Sequence, residues 1–301
     1  MTKLFSNILN HRKVLSAIII GTVCAASPAI SQDEQPNYDL EQIKPGIYRT
    51  TKGPYHGIIV EGETGLLILD TFNEDFSKWL DNKLTEEFNK PIKYVIYSHN
   101  HSDHISGGQA FAHHNPVYIA HDLAKDSMER MKRDTHYPEI SFSDSLSIDL
   151  DGRPIKLQYW GNNDGLGSIS MYLPQDKFIA AIDWALTDRV GYQHIKRYNV
   201  DGIIASLYEI DKLDWDVISP GHASTGTKED VRRFRRYMEA IRDGVIAGIL
   251  AEKDEDTIVS EVHASIAANE EFATLKMFDQ WSEMNVRGIY QQIAAKEGIL
   301  E

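Results

Sequence analysis

Four metal-binding side chains occur together in one short stretch of the sequence, Ser98-His99-Asn100-His101-Ser102-Asp103-His104. Imidazole nitrogens and carboxylate oxygens are the ligands that zinc and other borderline divalent metals take in proteins. The stretch follows Ile92–Tyr97, whose β-branched and aromatic residues predict a buried strand. Side chains alternate along a strand, so His99 and His101 point to the same side. A turn after them can bring Asp103 and His104 back, so we predict a metal site at this strand end.

Further potential ligands lie beside other predicted strands. Asp164 precedes a strand in a glycine-rich turn, whereas Asp183 and His222 each follow a short apolar run. Open α/β folds place their sites at the carboxyl ends of strands, so these residues predict one shared site. Asp70 also ends an apolar run, and we expect it to hydrogen-bond rather than to bind metal. Other histidines have no useful spacing and are predicted to be surface or packing residues: His113, His114, His121 and His136.

The composition is that of an ordinary globular protein, with 42% hydrophobic and 25% charged residues. The formal net charge of −14 disfavours nucleic acid and anionic membranes as partners. We therefore expect no nucleic-acid partner. The length of 301 residues suits a single two-layered α/β unit.

Residues 1–31 have the pattern of a secretory signal peptide. A basic start precedes the apolar core Val14–Ala26, and small residues then predict cleavage before Gln32. An apolar core of about 13 residues is too short to span a bilayer as a helix, so no stable membrane anchor is expected. Cys24 is the only cysteine and would be removed with the peptide. We therefore expect a periplasmic or secreted protein without disulfides.

Strand and helix patterns alternate around the predicted site. Before the histidine-rich stretch, the patterns predict strands at 46–50, 57–60 and 66–70 and a helix at 73–90. This order predicts a mixed sheet with helices packed against it. Residues 133–150 are predicted to be a loop bordering a pocket. Helices are predicted at 227–250, at 257–267 and from 275, forming an extension packed on the catalytic domain. A homodimer surface or a lid over the pocket is the alternative role of these helices.

A larger pattern resembles that of the metallo-β-lactamase superfamily: His99-x-His101-x-Asp103-His104, then Asp183, then Pro220-Gly221-His222. The resemblance covers roughly residues 40–225. It implies an α/β fold, a four-layered αβ/βα sandwich that holds metals at one edge of its two sheets. It also implies a catalytic domain at 32–225 after the signal peptide, followed by a C-terminal helical extension at 226–301.

The resemblance implies two metal ions, zinc first with manganese or iron as alternatives, held by these side chains: His99, His101, Asp103, His104, Asp164, Asp183 and His222. Asp183 would bridge the two ions. The sequence departs from the family at the third ligand of the first ion, where Asp164 stands in place of a histidine. Alkylsulfatase-like members carry a carboxylate there. The alternative is that Asp164 caps a glycine-rich turn and leaves the first site incomplete.

The resemblance implies a metal-dependent hydrolase that acts on a small-molecule substrate, and the signal-peptide pattern adds the expectation of export. A metal-bound hydroxide would attack an ester or amide bond, such as that of a lactone or β-lactam. Asp103 would orient the hydroxide or return a proton, which makes it the predicted catalytic residue. The predicted substrate-binding residues are Trp184, Tyr192 and His194, with ordinary packing as the alternative. A sulfate- or phosphate-ester hydrolase and a mononuclear iron dioxygenase of the same fold are the alternative activities.

Overall fold

The computed structural model describes residues 37–297, so the predicted signal peptide lies outside the described residues. The strands are β1 (Tyr38–Lys44), β2 (Ile47–Lys52), β3 (Tyr55–Glu61), β4 (Leu66–Leu69), β5 (Ile92–Ile96), β6 (Val117–His121), β7 (Ile140–Phe142), β8 (Ser145–Leu150), β9 (Arg153–Tyr159), β10 (Ile169–Leu173), β11 (Phe178–Ala181) and β12 (Val217–Ser219). The α-helices are α1 (Glu74–Phe88), α2 (Ser102–Ile105), α3 (Asp122–Arg130), α4 (Val200–Asp211), α5 (Lys228–Leu250), α6 (Glu255–Ala267), α7 (Glu270–Ala273) and α8 (Phe278–Lys296). A 3₁₀ helix spans Gly108–His114.

The strands form two sheets that each contain parallel and antiparallel pairs. The first has the order β1-β2-β3-β4-β5-β6-β7, and its strands run parallel from β4 to β7. The second has the order β12-β11-β10-β9-β8, in which only β11 and β12 pair in parallel. The two sheets meet at the metal-binding edge, where His56 N donates to Gly221 O at 2.9 Å. Each sheet therefore brings a parallel pair of strand ends to this edge.

Three hydrophobic cores separate four layers. Along β3, Ile58 and Val60 enter the core between the sheets, whereas Ile59 faces α1 and α3. Along β11, Phe178 enters the same inter-sheet core, and Ile179 faces α4, α5, α6 and α8. Fully burying one such side chain stabilises the fold by about 1.5–3 kcal/mol. Helices therefore cover both outer sheet faces, which confirms the predicted αβ/βα sandwich.

The C-terminal helices share the core on the outer face of the second sheet. Phe234 of α5 and Ile289 of α8 belong to the same buried cluster as Tyr172 of β10. The described residues fall in one compact unit, with no break at the predicted boundary after residue 225. At Gly288 a Cβ atom would lie only 2.0 Å from the carbonyl oxygen of His194, so α8 packs directly on that loop. No described helix combines the length and apolarity that a membrane span requires.

The prediction that residues 133–150 form a loop was wrong for its second half. Residues 140–142 form β7 and residues 145–150 form β8, the edge strand of the second sheet. Ile148 and Leu150 pack in the inter-sheet core, while Ser147 and Asp149 face solvent. This alternation has the period of two that defines a half-buried strand. Helix α4 was also absent from the predicted elements.

Candidate metal centre

The candidate ligands follow the strand ends that the two parallel pairs bring together. His99 follows β5, Asp183 follows β11 and His222 follows β12. The backbone turns sharply at Asp183, with φ of 66°, and at Asp70, with φ of 68°. This left-handed conformation costs most residues with a side chain about 1–2 kcal/mol, and aspartate is among those that adopt it more readily. Two such turns place both carboxylates at the edge.

Helix α2 carries the rest of the histidine-rich stretch. His101 is its N-cap residue and has no side-chain capping bond, which leaves its ring available to the site. His104 lies within the helix, and its carbonyl oxygen accepts from Thr71 N at 2.8 Å. This backbone bond ties α2 to the segment after β4.

One group of ligand atoms surrounds one oxygen of Asp183. His99 Nε2 lies 3.3 Å from Asp183 Oδ2, and His101 Nδ1 lies 3.9 Å from the same oxygen. Asp164 completes the group, with its Oδ2 atom 3.7 Å from His101 Nδ1. All four side chains are buried and their ligand atoms lie within 4.8 Å of one another. The structure therefore brings Asp164 to the place predicted for the third ligand.

A second group faces the other oxygen of Asp183. His104 Nε2 and His222 Nε2 each lie 3.3 Å from Asp183 Oδ1 and 3.3 Å from each other. Asp103 joins these two histidines in a group that could hold a metal ion. Ligand atoms around a tetrahedral zinc ion with bonds of about 2.0–2.1 Å stand about 3.3 Å apart. Asp183 is thus placed to contact an ion on each side.

The outer nitrogens of three histidines are fixed by partners away from the site: His99 Nδ1 with Ser98 Oγ at 2.8 Å, His104 Nδ1 with Asp70 Oδ2 at 3.0 Å, and His222 Nδ1 with Pro54 O at 3.0 Å. Ser98 Oγ in turn donates to Asp70 Oδ2 at 2.7 Å, so Asp70 hydrogen-bonds as predicted. Such bonds turn the lone pair of the opposite nitrogen toward a metal. His99 Nε2 and Asp183 Oδ1 are buried without a hydrogen bond among the described residues. Because a buried unsatisfied polar atom is costly, this donor set fits bound divalent metal.

A glycine-rich turn positions Asp164. Gly165 has a φ of 60°, and a Cβ atom there would lie 2.8 Å from His101 Nε2. Gly165 N donates to Arg197 O at 3.3 Å, which joins the turn to the loop after β11. Only glycine fits this approach between the turn and the histidine ring. The side chain of Asp164 is thereby buried beside His101, where solvent does not stabilise its charge.

Burial and charge shift the pKa values of the ligands in opposite directions. Burial raises the pKa of Asp164 to about 7. Burial alone would lower the pKa of His104, but the charges of Asp183 and Asp70 outweigh it and raise the pKa to about 9. Burial likewise opposes the ionised form of Asp183, yet His104 and His222 hold its pKa well below the usual range. A metal-free centre at neutral pH therefore retains protons that metal must displace.

Metal binding is expected to strengthen as the pH rises from about 6 to about 8. Asp164 loses its proton near pH 7 and His104 near pH 9, and both bind metal only when deprotonated. Calorimetric zinc titration of metal-free protein, in buffers of different ionisation enthalpy, would count the protons released. Asp164→Asn should release fewer protons near pH 6 than the unchanged chain. Equal proton counts in the two proteins would contradict the assignment.

The candidate metal centre opens on a cavity of about 720 Å³. Its wall combines aromatic and cationic side chains: Tyr55, Arg189, Tyr192, Lys196, Arg197 and Trp281. Tyr192 and Trp281 stack edge to face with ring centroids 5.0 Å apart, and the Arg189 guanidinium lies 4.7 Å from the Trp281 ring. Arg189 also donates to His222 O at 3.1 Å. Outside the candidate metal ligands, the cavity wall therefore offers aromatic rings and positive charge.

Two of the three predicted substrate-binding residues lie on the cavity. Tyr192 and His194 line it. The prediction for Trp184 was wrong, because its side chain is fully buried in the core and its indole N–H donates to Ile169 O at 3.3 Å. Trp281 of α8 was missed, since nothing in the local sequence connects the C-terminal helix with the metal ligands.

Two tryptophan substitutions should separate binding from stability. Trp281→Ala is expected to raise KM for an aromatic substrate by about 2–10-fold with little change in kcat, because one stacking contact contributes about 0.5–1.5 kcal/mol. Trp184→Phe should instead lower the midpoint of thermal unfolding and leave KM unchanged, because Trp184 is buried in the core. Steady-state kinetics and thermal melts of both variants provide the measurement. An unchanged KM in Trp281→Ala would show that Trp281 does not contact the substrate.

A two-sheet sandwich with paired metal-ligand groups at its edge defines a class of metal-dependent enzymes, most of them hydrolases. The chain belongs to the metallo-β-lactamase superfamily, whose family model matches residues 50–222. It is 26% identical over 206 residues to the 2,4-dinitroanisole O-demethylase subunit alpha of Nocardioides sp. (strain JS1661), covering 67% of this chain and 62% of that protein. It is 28% identical over 135 residues to the metallo-β-lactamase type 2 of Bacteroides fragilis, covering 42% and 50%. The chain thus spans half to three fifths of the length of these relatives.

Solved structures share the fold. A metallo-β-lactamase from Pontibacter korlensis has a TM-score of 0.60 at 16% identity, with 67% of this chain and 99% of that chain covered. A double mutant of the sec-alkyl sulfatase PisA1 has a TM-score of 0.67 at 16% identity, with 85% and 50% covered. At this identity the likeness concerns the fold alone.

Proposed function

We propose that this protein is a two-metal hydrolase that cleaves an ester or amide bond, with a lactone or a β-lactam as the first substrate classes to test. The arrangement around Asp183 carries the proposal, because each of its oxygens faces a separate group of metal-binding side chains. Superfamily membership supports a hydrolase. Zinc suits both donor sets, which combine imidazole with carboxylate, and manganese or iron are alternatives.

Different residues around the cavity would have different roles in the proposed reaction. Metal bound by the two groups would lower the pKa of a water molecule and polarise the scissile bond. Asp103 lies on the cavity in the second group and would accept a proton from the attacking water or return one to the leaving group. Lys196 and Arg197 would bind a negatively charged part of the substrate. Trp281 would stack on an aromatic part.

Two observations favour other bonds as second candidates. The carboxylate at Asp164 and the aromatic and cationic wall would suit a sulfate or phosphate ester. An aryl methyl ether is also a candidate, because a relative is named a 2,4-dinitroanisole O-demethylase and the cavity wall is aromatic. An iron dioxygenase of the same fold is the redox alternative, and it would show bound iron with oxygen uptake.

Metal analysis of the purified protein, combined with a substrate panel, tests the proposal. The panel contains a chromogenic β-lactam, a lactone, an aryl ester, an aryl sulfate, an aryl phosphate and 2,4-dinitroanisole. We expect two divalent ions in the candidate metal centre and hydrolysis of one class that a chelator abolishes. Absence of turnover across the whole panel with metal bound would favour a non-catalytic metal-binding protein.

We also propose that the protein is exported through a cleaved signal peptide. Residues 1–31 have the signal-peptide pattern and lie outside the described residues. Expression in a bacterium with a periplasm should give mature protein that begins at Gln32 in the periplasm or the medium. N-terminal sequencing of each cell fraction provides the measurement. A chain that keeps Met1 in the cytoplasmic fraction would contradict export.

We also propose that two copies of the chain associate through the outer faces of the C-terminal helices. Their inner faces are covered by the chain's own second sheet. Leu250, near the end of α5, is 79% exposed and Ile246 is 38% exposed, which leaves apolar surface for a partner. Light scattering of the purified protein, with Leu250→Lys as the disrupting variant, would distinguish a dimer from a monomer.

A further inference from the structure

A third cluster of metal-binding side chains lies between α1 and the 3₁₀ helix. Asp81 belongs to α1, and His113 and His114 end the 3₁₀ helix. One ligand atom from each lies within 4.8 Å of the others, and none of the three belongs to the groups around Asp183. We propose that Asp81, His113 and His114 bind a divalent metal ion of zinc's class, separate from the candidate metal centre.

The carboxylate of Asp81 presents one oxygen to each imidazole. His114 Nε2 lies 2.7 Å from Asp81 Oδ1, and His113 Nε2 lies 3.3 Å from Asp81 Oδ2. The two rings are also close, with centroids 4.0 Å apart. The separation of 3.3 Å equals the edge of a tetrahedral site with metal–ligand bonds of about 2.0–2.1 Å. An outward shift of His114 by about half an ångström would bring the shorter contact to the same value.

The hydrogen bond of His113 determines which ring nitrogen is free to bind metal. Its Nδ1 atom lies 3.1 Å from the carbonyl oxygen of Ala110. A carbonyl oxygen only accepts, so Nδ1 carries the proton and Nε2 presents its lone pair to Asp81. A lone pair facing a carboxylate is repulsive unless the ring gains a second proton or a cation lies between them. A divalent ion satisfies both atoms, and the bond to Ala110 fixes the ring as it does in known metal sites.

The surroundings suit an ion with open coordination positions. The side chains of Asp81 and His114 are 16% exposed, whereas that of His113 is 59% exposed. Protein therefore holds two ligands from one side, while water can complete the coordination from the other. Imidazole with one carboxylate favours zinc, nickel or copper over magnesium and calcium. The ion would fasten the 3₁₀ helix, which follows α2 and its His104, to α1.

Zinc stoichiometry in single variants tests the proposal. Untagged full-length protein is stripped of metal and dialysed to equilibrium against buffered zinc, and the bound metal is then measured. We expect His113→Ala and Asp81→Asn each to bind one zinc ion fewer per chain than the unchanged protein, with the same hydrolytic activity. His136→Ala is the matched control, because His136 also contacts a carboxylate, Glu139 at 2.7 Å, but belongs to no metal-ligand group among the described residues.

A second measurement keeps the test independent of the catalytic ions. In an Asp183→Asn background, added zinc should still raise the midpoint of thermal unfolding, and this rise should shrink when His113→Ala is added. His113 is exposed and Asp81→Asn keeps its shape, so both variants are expected to fold. Equal zinc stoichiometry and equal thermal response with and without His113 would overturn the proposal. Failure of the proposed hydrolase activity would leave this outcome unaffected.

Discussion

Asp183→Asn is expected to lower both metal content and kcat/KM more than any other single substitution in this chain. Among the described residues, only Asp183 places an oxygen toward each group, with Oδ2 3.3 Å from His99 Nε2 and Oδ1 3.3 Å from His104 Nε2. An amide has one oxygen and no charge, so it cannot serve both sides. Loss of a residue that only orients a ligand typically costs about 10–100-fold in metal affinity or activity, and loss of a shared ligand should exceed about 100-fold.

The measurement combines elemental analysis with kinetics on the substrate class that the panel identifies. Asp176→Asn is the control, because Asp176 is a partly buried carboxylate near the other end of β11 and contacts Arg153 at 3.2 Å instead of the site. The control should keep the metal content and activity of the unchanged protein. If Asp183→Asn retained two tightly bound ions in the candidate metal centre, the bridging position of Asp183 would be wrong.

The proximity of the candidate ligands could be predicted from sequence because it depends on local features. His99 and His101 are two positions apart at a strand end, and Asp183 and His222 follow apolar runs that the parallel pairs bring to the same edge. The positions of these residues along the chain were therefore enough to predict that their side chains lie close together. The sandwich itself followed from the resemblance, since strand patterns alone left the number of sheets and their pairing open.

Residues that meet only through tertiary packing could not be predicted in the same way. Trp184 directly follows Asp183 in sequence, yet its side chain points into the core. Trp281 reaches the cavity from α8, about a hundred positions later in the chain. Likewise Asp81 and His114 are 33 positions apart and meet only because α1 packs against the 3₁₀ helix.

Asp164→His is expected to move the acidic limb of the pH–rate profile to lower pH. With two divalent ions bound, the three carboxylates of Asp103, Asp164 and Asp183 and one hydroxide give a neutral centre. A histidine at position 164 removes one negative charge and leaves the centre with a charge of +1. Positive charge lowers the pKa of metal-activated water, which varies by about 2 units between known zinc environments, so we expect a shift of about one pH unit. The same change should strengthen binding of anionic substrates and favour zinc over manganese.

The test measures the pH dependence of kcat/KM in the unchanged protein and in Asp164→His. The metal content of each protein is measured as well. Asp164→Asn separates charge from coordination, because it removes the same charge but supplies a weak neutral ligand. It should lose metal from the group of His99 and His101, whereas Asp164→His should keep it, since imidazole is a good zinc ligand. An acidic limb that stays in place in Asp164→His with full metal content would contradict the charge argument. A limb that moves with the metal retained would identify Asp164 as the residue that sets how acidic the catalytic water is.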